Sequence, residues 1–380
     1  MSTVLLERVR TRLADGASDP TPAGVAAALR AEGVVLGDDA VLDLVRTLRH
    51  DLAGAGPLEP LLRLPGVTDV LVNGRSSVWI DRGRGLERTD VTFASDESVR
   101  RLAQRLAASA GRRLDDAAPC VDARLPSGAR LHCVLPPLSA EGTLISLRVP
   151  SESGFSVAAL VERGAVDAEG ADLLRRIVAG RLAFLISGGT GAGKTTVLSA
   201  LLGLVPADHR IVVVEDSTEL APAHPHVIRL QSRLANVEGA GAVTMRDLVR
   251  QALRMRPDRL VVGEVRGAEV VELLAAMNTG HEGGAGTVHA NSAADVPARI
   301  EALALMAGLE RQAVHALMEA GIDVVVHLGR DAGVRVVSGV HVLKRGDDGF
   351  VRARAAFTRD DGRLVPGAAA SDLVARLRLG

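Results

Sequence analysis

Lys194 and Thr195 close the octapeptide Gly188-Gly189-Thr190-Gly191-Ala192-Gly193-Lys194-Thr195, which Thr196 extends. Glycine at its first and sixth positions ahead of Lys-Thr is the spacing of a phosphate-binding loop. Glycines let successive backbone N–H groups turn toward one anion. The lysine reaches the β and γ phosphates, and the threonine hydroxyl completes the shell of a Mg²⁺ ion. Lys194 and Lys344 are the only lysines among 45 Lys and Arg residues, so composition alone does not explain a lysine at this position. A guanine site would carry Asn-Lys-x-Asp, but Lys344 follows Leu343. ATP is therefore the expected nucleotide.

Hydrolysis also requires a carboxylate near the metal and the attacking water, delivered at the carboxyl end of a strand beside the loop. Two apolar runs end in such groups: Leu260-Val261-Val262-Gly263 is followed by Glu264, and Ile211-Val212-Val213-Val214 by Glu215 and Asp216. The expected catalytic set is Lys194, Glu215, Glu264 and one histidine, with Thr195, Asp216 and Glu264 as Mg²⁺ ligands, partly through water. Glu219 is ambiguous between this set and the start of the next segment. The histidine comes from Asn278–Ser292, NTGHEGGAGTVHANS, where His281 and His289 sit eight residues apart on a glycine-rich ribbon. With no cysteine nearby and Glu282 the one close acid, zinc fits poorly. A plain loop competes with a sensor whose glycines let the backbone approach the site while a histidine donates to the γ-phosphate.

Strands and helices must hold these groups, and 380 residues suffice for two domains. Residues 1–43 read as a helical segment, with Leu5, Val9 and Leu13 in a stripe. Residues 44–150 mix short strands and helices. VTDVLVNG and SSVWID flank the Asn73-Gly74 turn as a hairpin, and a helix runs from a Ser95 or Asp96 cap to Gly111. A linker is expected at 151–160. From 161 to 380, apolar strands alternate with long helices, the pattern of a mostly parallel sheet, before an antiparallel meander. Net charge is −1 and five Phe, one Trp and no Tyr are present, so stable nucleic-acid binding is not expected. Cys120 and Cys133 have neither disulfide nor zinc-ribbon spacing. Glu7 and Arg8 interrupt the first apolar stretch, and no run approaches the roughly 20 residues of a membrane span. A cytoplasmic protein is expected, peripheral to the inner face of the cell membrane through partners.

Four segments in fixed order, GGTGAGKTT, VVVEDSTEL, RPDRLVVGEVRGAE and TGHEGGAGTVHANS, resemble the type II/type IV secretion ATPases. The resemblance is closest to the branch that powers Flp-type, tight-adherence pilus assembly and is associated with conjugal transfer. The family names these segments Walker A, Asp box, Walker B and His box, and Gly263-Glu264 stands where many ATPases have Asp-Glu. The match reaches back through RRLDDAAPCVDARLPSGARLHCVLPPL and ISLRVP, covering roughly residues 44 to 309. It implies an α/β fold, a RecA-like P-loop ATPase domain behind a smaller N-terminal α+β domain. It further implies a hexameric homo-oligomer, an inner-membrane platform as partner, and pilus assembly or protein export as the work done. In that family the nucleotide lies between the domains and first-domain arginines reach its phosphates. The matching residues are Arg124 and Arg130, with Arg113 and Arg148 as further candidates. His289 is then the phosphate sensor, with His281 supporting its loop. A nucleic-acid translocase of a conjugation system and a non-hydrolysing nucleotide-binding scaffold are the competing readings.

Overall fold

A computed structural model describes residues 22–34, 37, 54–83, 85–149, 155–233, 235, 240–280 and 282–379. The chain divides into two compact units, Met1–Glu152 and Ser153–Gly380. The expected stripe at Leu5, Val9 and Leu13 lies outside the described residues, as does His281. So do residues 151–154 of the expected linker. The linker's second half is not linker: a helix begins at Val157, capped by the Ser156 side chain, and buries Val157 and Leu160.

Unit 1 contains α1 (Pro22–Ala31), α2 (Glu59–Leu62), β1 (Asp69–Asn73), β2 (Val78–Asp81), β3 (Leu86–Arg88), α3 (Asp96–Ser109), β4 (Cys120–Arg124), β5 (Arg130–Val134) and β6 (Leu144–Arg148). The strands form one antiparallel sheet in the order β3-β2-β1-β6-β5-β4. On α3, Val99, Leu102, Ala103, Leu106 and Ala107 recur at helical spacing and are all buried. They share one core with Val70, Val72, Leu131, Ile145 and Leu147 of the sheet. The helix starts where the Ser95 side chain accepts from the Ser98 N–H. The β1–β2 hairpin is present, but Asn73 N donates to Ser77 O and the connection spans residues 74–77. Gly74 serves there because a Cβ would lie 2.3 Å from the Glu141 carbonyl oxygen.

Unit 2 contains α4 (Val157–Glu162), α5 (Ala168–Ala179), β7 (Phe184–Gly188), α6 (Lys194–Leu202), β8 (Ile211–Glu215), β9 (Val227–Gln231), α7 (Met245–Ala252), β10 (Arg259–Val265), α8 (Glu269–Met277), β11 (Ala285–His289), α9 (Val296–Met306), α10 (Arg311–Gly321), β12 (Val324–Asp331), β13 (Val334–Arg345), β14 (Val351–Asp360), β15 (Arg363–Pro366) and α11 (Ala370–Leu379). The sheet order is β15-β14-β13-β12-β7-β11-β10-β8-β9. From β12 to β9 the pairing is parallel, and β13, β14 and β15 continue the sheet antiparallel. Every residue of β7 and β8 is buried, as expected of strands covered on both faces. Two hydrophobic clusters result, one holding Phe184, Ile186, Val213 and Val261, the other Leu185, Val212, Val214 and Val262. Alternate residues of each strand thus feed opposite faces. This is the expected RecA-like α/β domain with a smaller α+β unit before it.

Candidate functional site

Because β7, β11, β10 and β8 are adjacent and parallel, their carboxyl ends emerge on one edge, where such sheets bind ligands. Register fixes the details. His289 pairs with Gly188, and Val262 pairs with both Val214 and Gly286. One step beyond, Glu215 lies beside Gly263.

The phosphate loop leaves β7 and turns directly into α6. Gly191 and Gly193 have φ of +68° and +91°, values that side chains resist. Gly193 is the N-cap of α6 and no side chain caps the helix, so its first N–H groups and its positive dipole end remain for an anion. Lys194 is buried at 7% exposure. Its Nζ donates to the carbonyls of Gly188 (3.1 Å) and Gly189 (3.0 Å) and lies 3.3 Å from both ring nitrogens of His289. Burial lowers its pKa, and Arg266 adds to this, against the carboxylates of Glu264 and Glu219.

A chain of contacts continues from there. His289 Nε2 lies 2.7 Å from Glu264 Oε1, Glu264 pairs with Arg266, and Arg266 Nη1 reaches Asp216 Oδ2 at 3.0 Å. Burial, then the Lys194 ammonium, push the His289 pKa down. The partners suit a neutral ring with its proton on Nε2, facing Glu264. Lys194, His289, Glu264 and Asp216, foreseen as site residues, are thus brought together. Arg266 was not foreseen. It stands two residues after Glu264, just past the end of β10, and that closeness in sequence is the signal that was available. Glu219 also belongs here, through its charge acting on Lys194.

Glu215 does something else. It is 3% exposed, and its Oε1 accepts from the N–H groups of Glu219 and Leu220 at 2.9 Å each. Burial raises its pKa to about 7 despite those donors. A Cβ on Gly263 would lie 2.5 Å from Glu215 Cγ. The Glu215 side chain therefore fills the space that an Asp at position 263 would need, which accounts for Gly-Glu at the end of this strand. The β10–β11 register also shifts between Val262 and Val265, a bulge of the kind that re-aims side chains near sites. Thr287 Oγ1 donates to the Gly263 carbonyl at 2.6 Å and pins it.

The glycine ribbon has a different cause from the expected approach to phosphate. Gly283, at φ +72°, lies against Arg259: a Cβ would fall 1.4 Å from Arg259 Nη1. Arg259 is 2% exposed and donates from Nη2 to the Val178 carbonyl at 3.1 Å. Burial lowers its pKa to about 10. Gly286 packs on β10, where a Cβ would meet the Val262 carbonyl oxygen at 3.0 Å. These glycines make room for a buried arginine and a neighbouring strand.

In unit 1, Arg130 forks onto Asp122, with Nη2 2.7 Å from Oδ2 and Nε 3.1 Å from Oδ1. Arg124 is its register partner across β4–β5. Arg113 pairs with Asp115, and Arg148 with Asp69 at 3.1 Å.

Thr195 and Thr196 lie half-buried in the first turn of α6. The hydroxyl of Thr195 with the carboxylates of Asp216 and Glu264 makes an all-oxygen donor set, which suits Mg²⁺. Among the described residues no three His, Cys, Asp or Glu side chains gather closely enough to hold a metal, so the ion would keep most ligands as water and phosphate oxygens. Among the described residues no helix is long and apolar enough to cross a membrane.

Comparison with known proteins bears on the family and the fold. The sequence profile of the family described as Type II/IV secretion system protein matches residues 51–339. A Mycobacterium tuberculosis protein with the provisional name conjugal transfer protein is 55% identical over 347 residues, 90% of this chain and 98% of that one. The type IV secretion system protein VirB11 of Brucella suis is 31% identical over 322 residues, 75% of this chain and 87% of that one. The solved structure of the Legionella pneumophila ATPase DotB aligns over 84% of this chain and 81% of that one with a TM-score of 0.51. At 17% identity it speaks for the fold alone.

Proposed function

Since the chain belongs to the type II/IV secretion system protein family, we propose that it is an ATPase motor that drives pilus assembly or protein export through an inner-membrane platform. It works as a hexameric ring on the cytoplasmic face of the membrane. The observation that carries this reading is the unbroken path from the phosphate loop through Lys194, His289 and Glu264 to Arg266 and Asp216. Bound phosphates would draw the Lys194 ammonium from the Gly188 and Gly189 carbonyls and release His289 to donate toward the γ-phosphate. Glu264, freed from Arg266, can orient the attacking water. Thr195, with Asp216 and Glu264 through water, would hold a Mg²⁺ ion, which would supply neutralisation of phosphate charge. Glu215 supports the site by holding the Glu219–Leu220 backbone. Arg124 and Arg130 are the arginines proposed to meet phosphate. Purified protein with Mg²⁺ and ATP should release inorganic phosphate, and Lys194→Ala should reduce release by at least about a hundredfold. Equal release by both proteins would overturn the assignment.

A further inference from the structure

The tip of the β12–β13 hairpin carries an arrangement that the proposed chemistry leaves unused. Arg330 and Arg335 are exact register partners across the two antiparallel strands, flanking a turn through Ala332 (φ +46°) and Gly333 (φ +85°). Like charges placed directly opposite each other disfavour a hairpin. The acid beside them does not relieve this, because the adjacent Asp331 is engaged by Arg359 at 3.5 Å. Among the described residues neither Arg330 nor Arg335 has an ion-pair partner, and both are exposed. Both side chains nevertheless lie on the phosphate loop. A Cβ on Gly191 would stand 3.8 Å from Arg330 Nη2, and one on Gly193 would stand 3.5 Å from Arg335 Cδ. The placement follows from the sheet. β12 runs parallel to β7 with Leu328 opposite Gly188, so the hairpin projects past the edge from which the loop departs.

We infer that Arg330 and Arg335 form a phosphate clamp within the same chain, closing over the loop and binding the polyphosphate of the nucleotide from the side away from His289 and Glu264. The inference rests on the proposal that the loop binds a nucleoside triphosphate. An anion between the two guanidiniums would turn their mutual repulsion into two charge-assisted contacts. No bond is made or broken by these residues; they bind.

The test uses the full-length protein and measures equilibrium binding of ATP and of inorganic pyrophosphate, each with Mg²⁺, for wild type, the double variants Arg330→Met/Arg335→Met and Arg330→Lys/Arg335→Lys, and Lys194→Ala. Methionine keeps an apolar stem of similar reach on the glycines and removes the charge. The Met pair should bind both ligands about tenfold or more weakly, the Lys pair should recover most of that loss, and the thermal midpoint without ligand should stay within a degree or two of wild type. Wild-type affinity of the Met pair for both ligands would overturn the clamp, as would a loss confined to ATP with pyrophosphate binding intact, because the contact would then lie on base or sugar. Failure of wild type itself to bind ATP, with Lys194→Ala indistinguishable from it, would instead overturn the phosphate-loop reading.

Discussion

At the residue scale, Glu215 and Glu264 end neighbouring strands and carry the same functional group, yet their surroundings separate them. Glu264 stays in contact with charged partners, whereas Glu215 is enclosed and, among the described residues, accepts hydrogen bonds from two backbone donors. Burial lifts the Glu215 pKa from 4.5 to about 7, which makes stability depend on pH in a definite direction. Below pH 4.5 the carboxyl is protonated in folded and unfolded chains alike. Between there and pH 7 the folded chain keeps a proton that the unfolded chain has lost, so stability falls as pH rises, by about 3 kcal/mol in all. Glu215→Gln should flatten this decline, read as the thermal midpoint of both proteins from pH 5 to 8. Parallel curves for the two proteins would assign the burial cost to another group. Such a split was not legible beforehand, since the sequence places both acids at strand ends and says nothing of which one the fold encloses.

At the element scale, the ends of β7, β8, β10 and β11 were readable because each is a local event, an apolar run followed by a polar or glycine-rich stop. What positions them was not, because it depends on register between strands far apart in sequence. The reason for Gly263 is a side chain 48 residues earlier, and the reason for Gly283 is Arg259. Arg330 and Arg335 meet the phosphate loop across some 140 residues, a proximity no motif encodes. Part of the expected linker is instead helix α4, started by the Ser156 cap, and its Val157 and Leu160 join the core of the second unit. Element packing also yields a prediction. Gly283→Ala must both adopt φ +72° and displace the buried guanidinium of Arg259, at a cost on the order of 3 kcal/mol. Denaturant unfolding should show that loss, and Arg259→Ala on the Gly283→Ala background should recover part of it. Additive losses would mean the two positions do not compete for space.

At the scale of the whole molecule, the proposed ring asks six copies of one chain to close on themselves. A net charge of −1 sets little general repulsion against such closure, so specific contacts and nucleotide can decide it. With Mg²⁺ and a non-hydrolysable ATP analogue, sedimentation at micromolar concentration should give a single boundary at six chains. A boundary that stays at one chain across the concentration range would remove the ring from the proposal. The fit of Glu215 against Gly263 reaches beyond any single molecule. Each position occupies volume that the other leaves, so neither can be exchanged alone in the direction of greater size. A lineage that placed a larger residue at 263 would first, or simultaneously, have to shorten the one at 215, and the two sites should be inherited as a pair even though 48 residues of chain separate them.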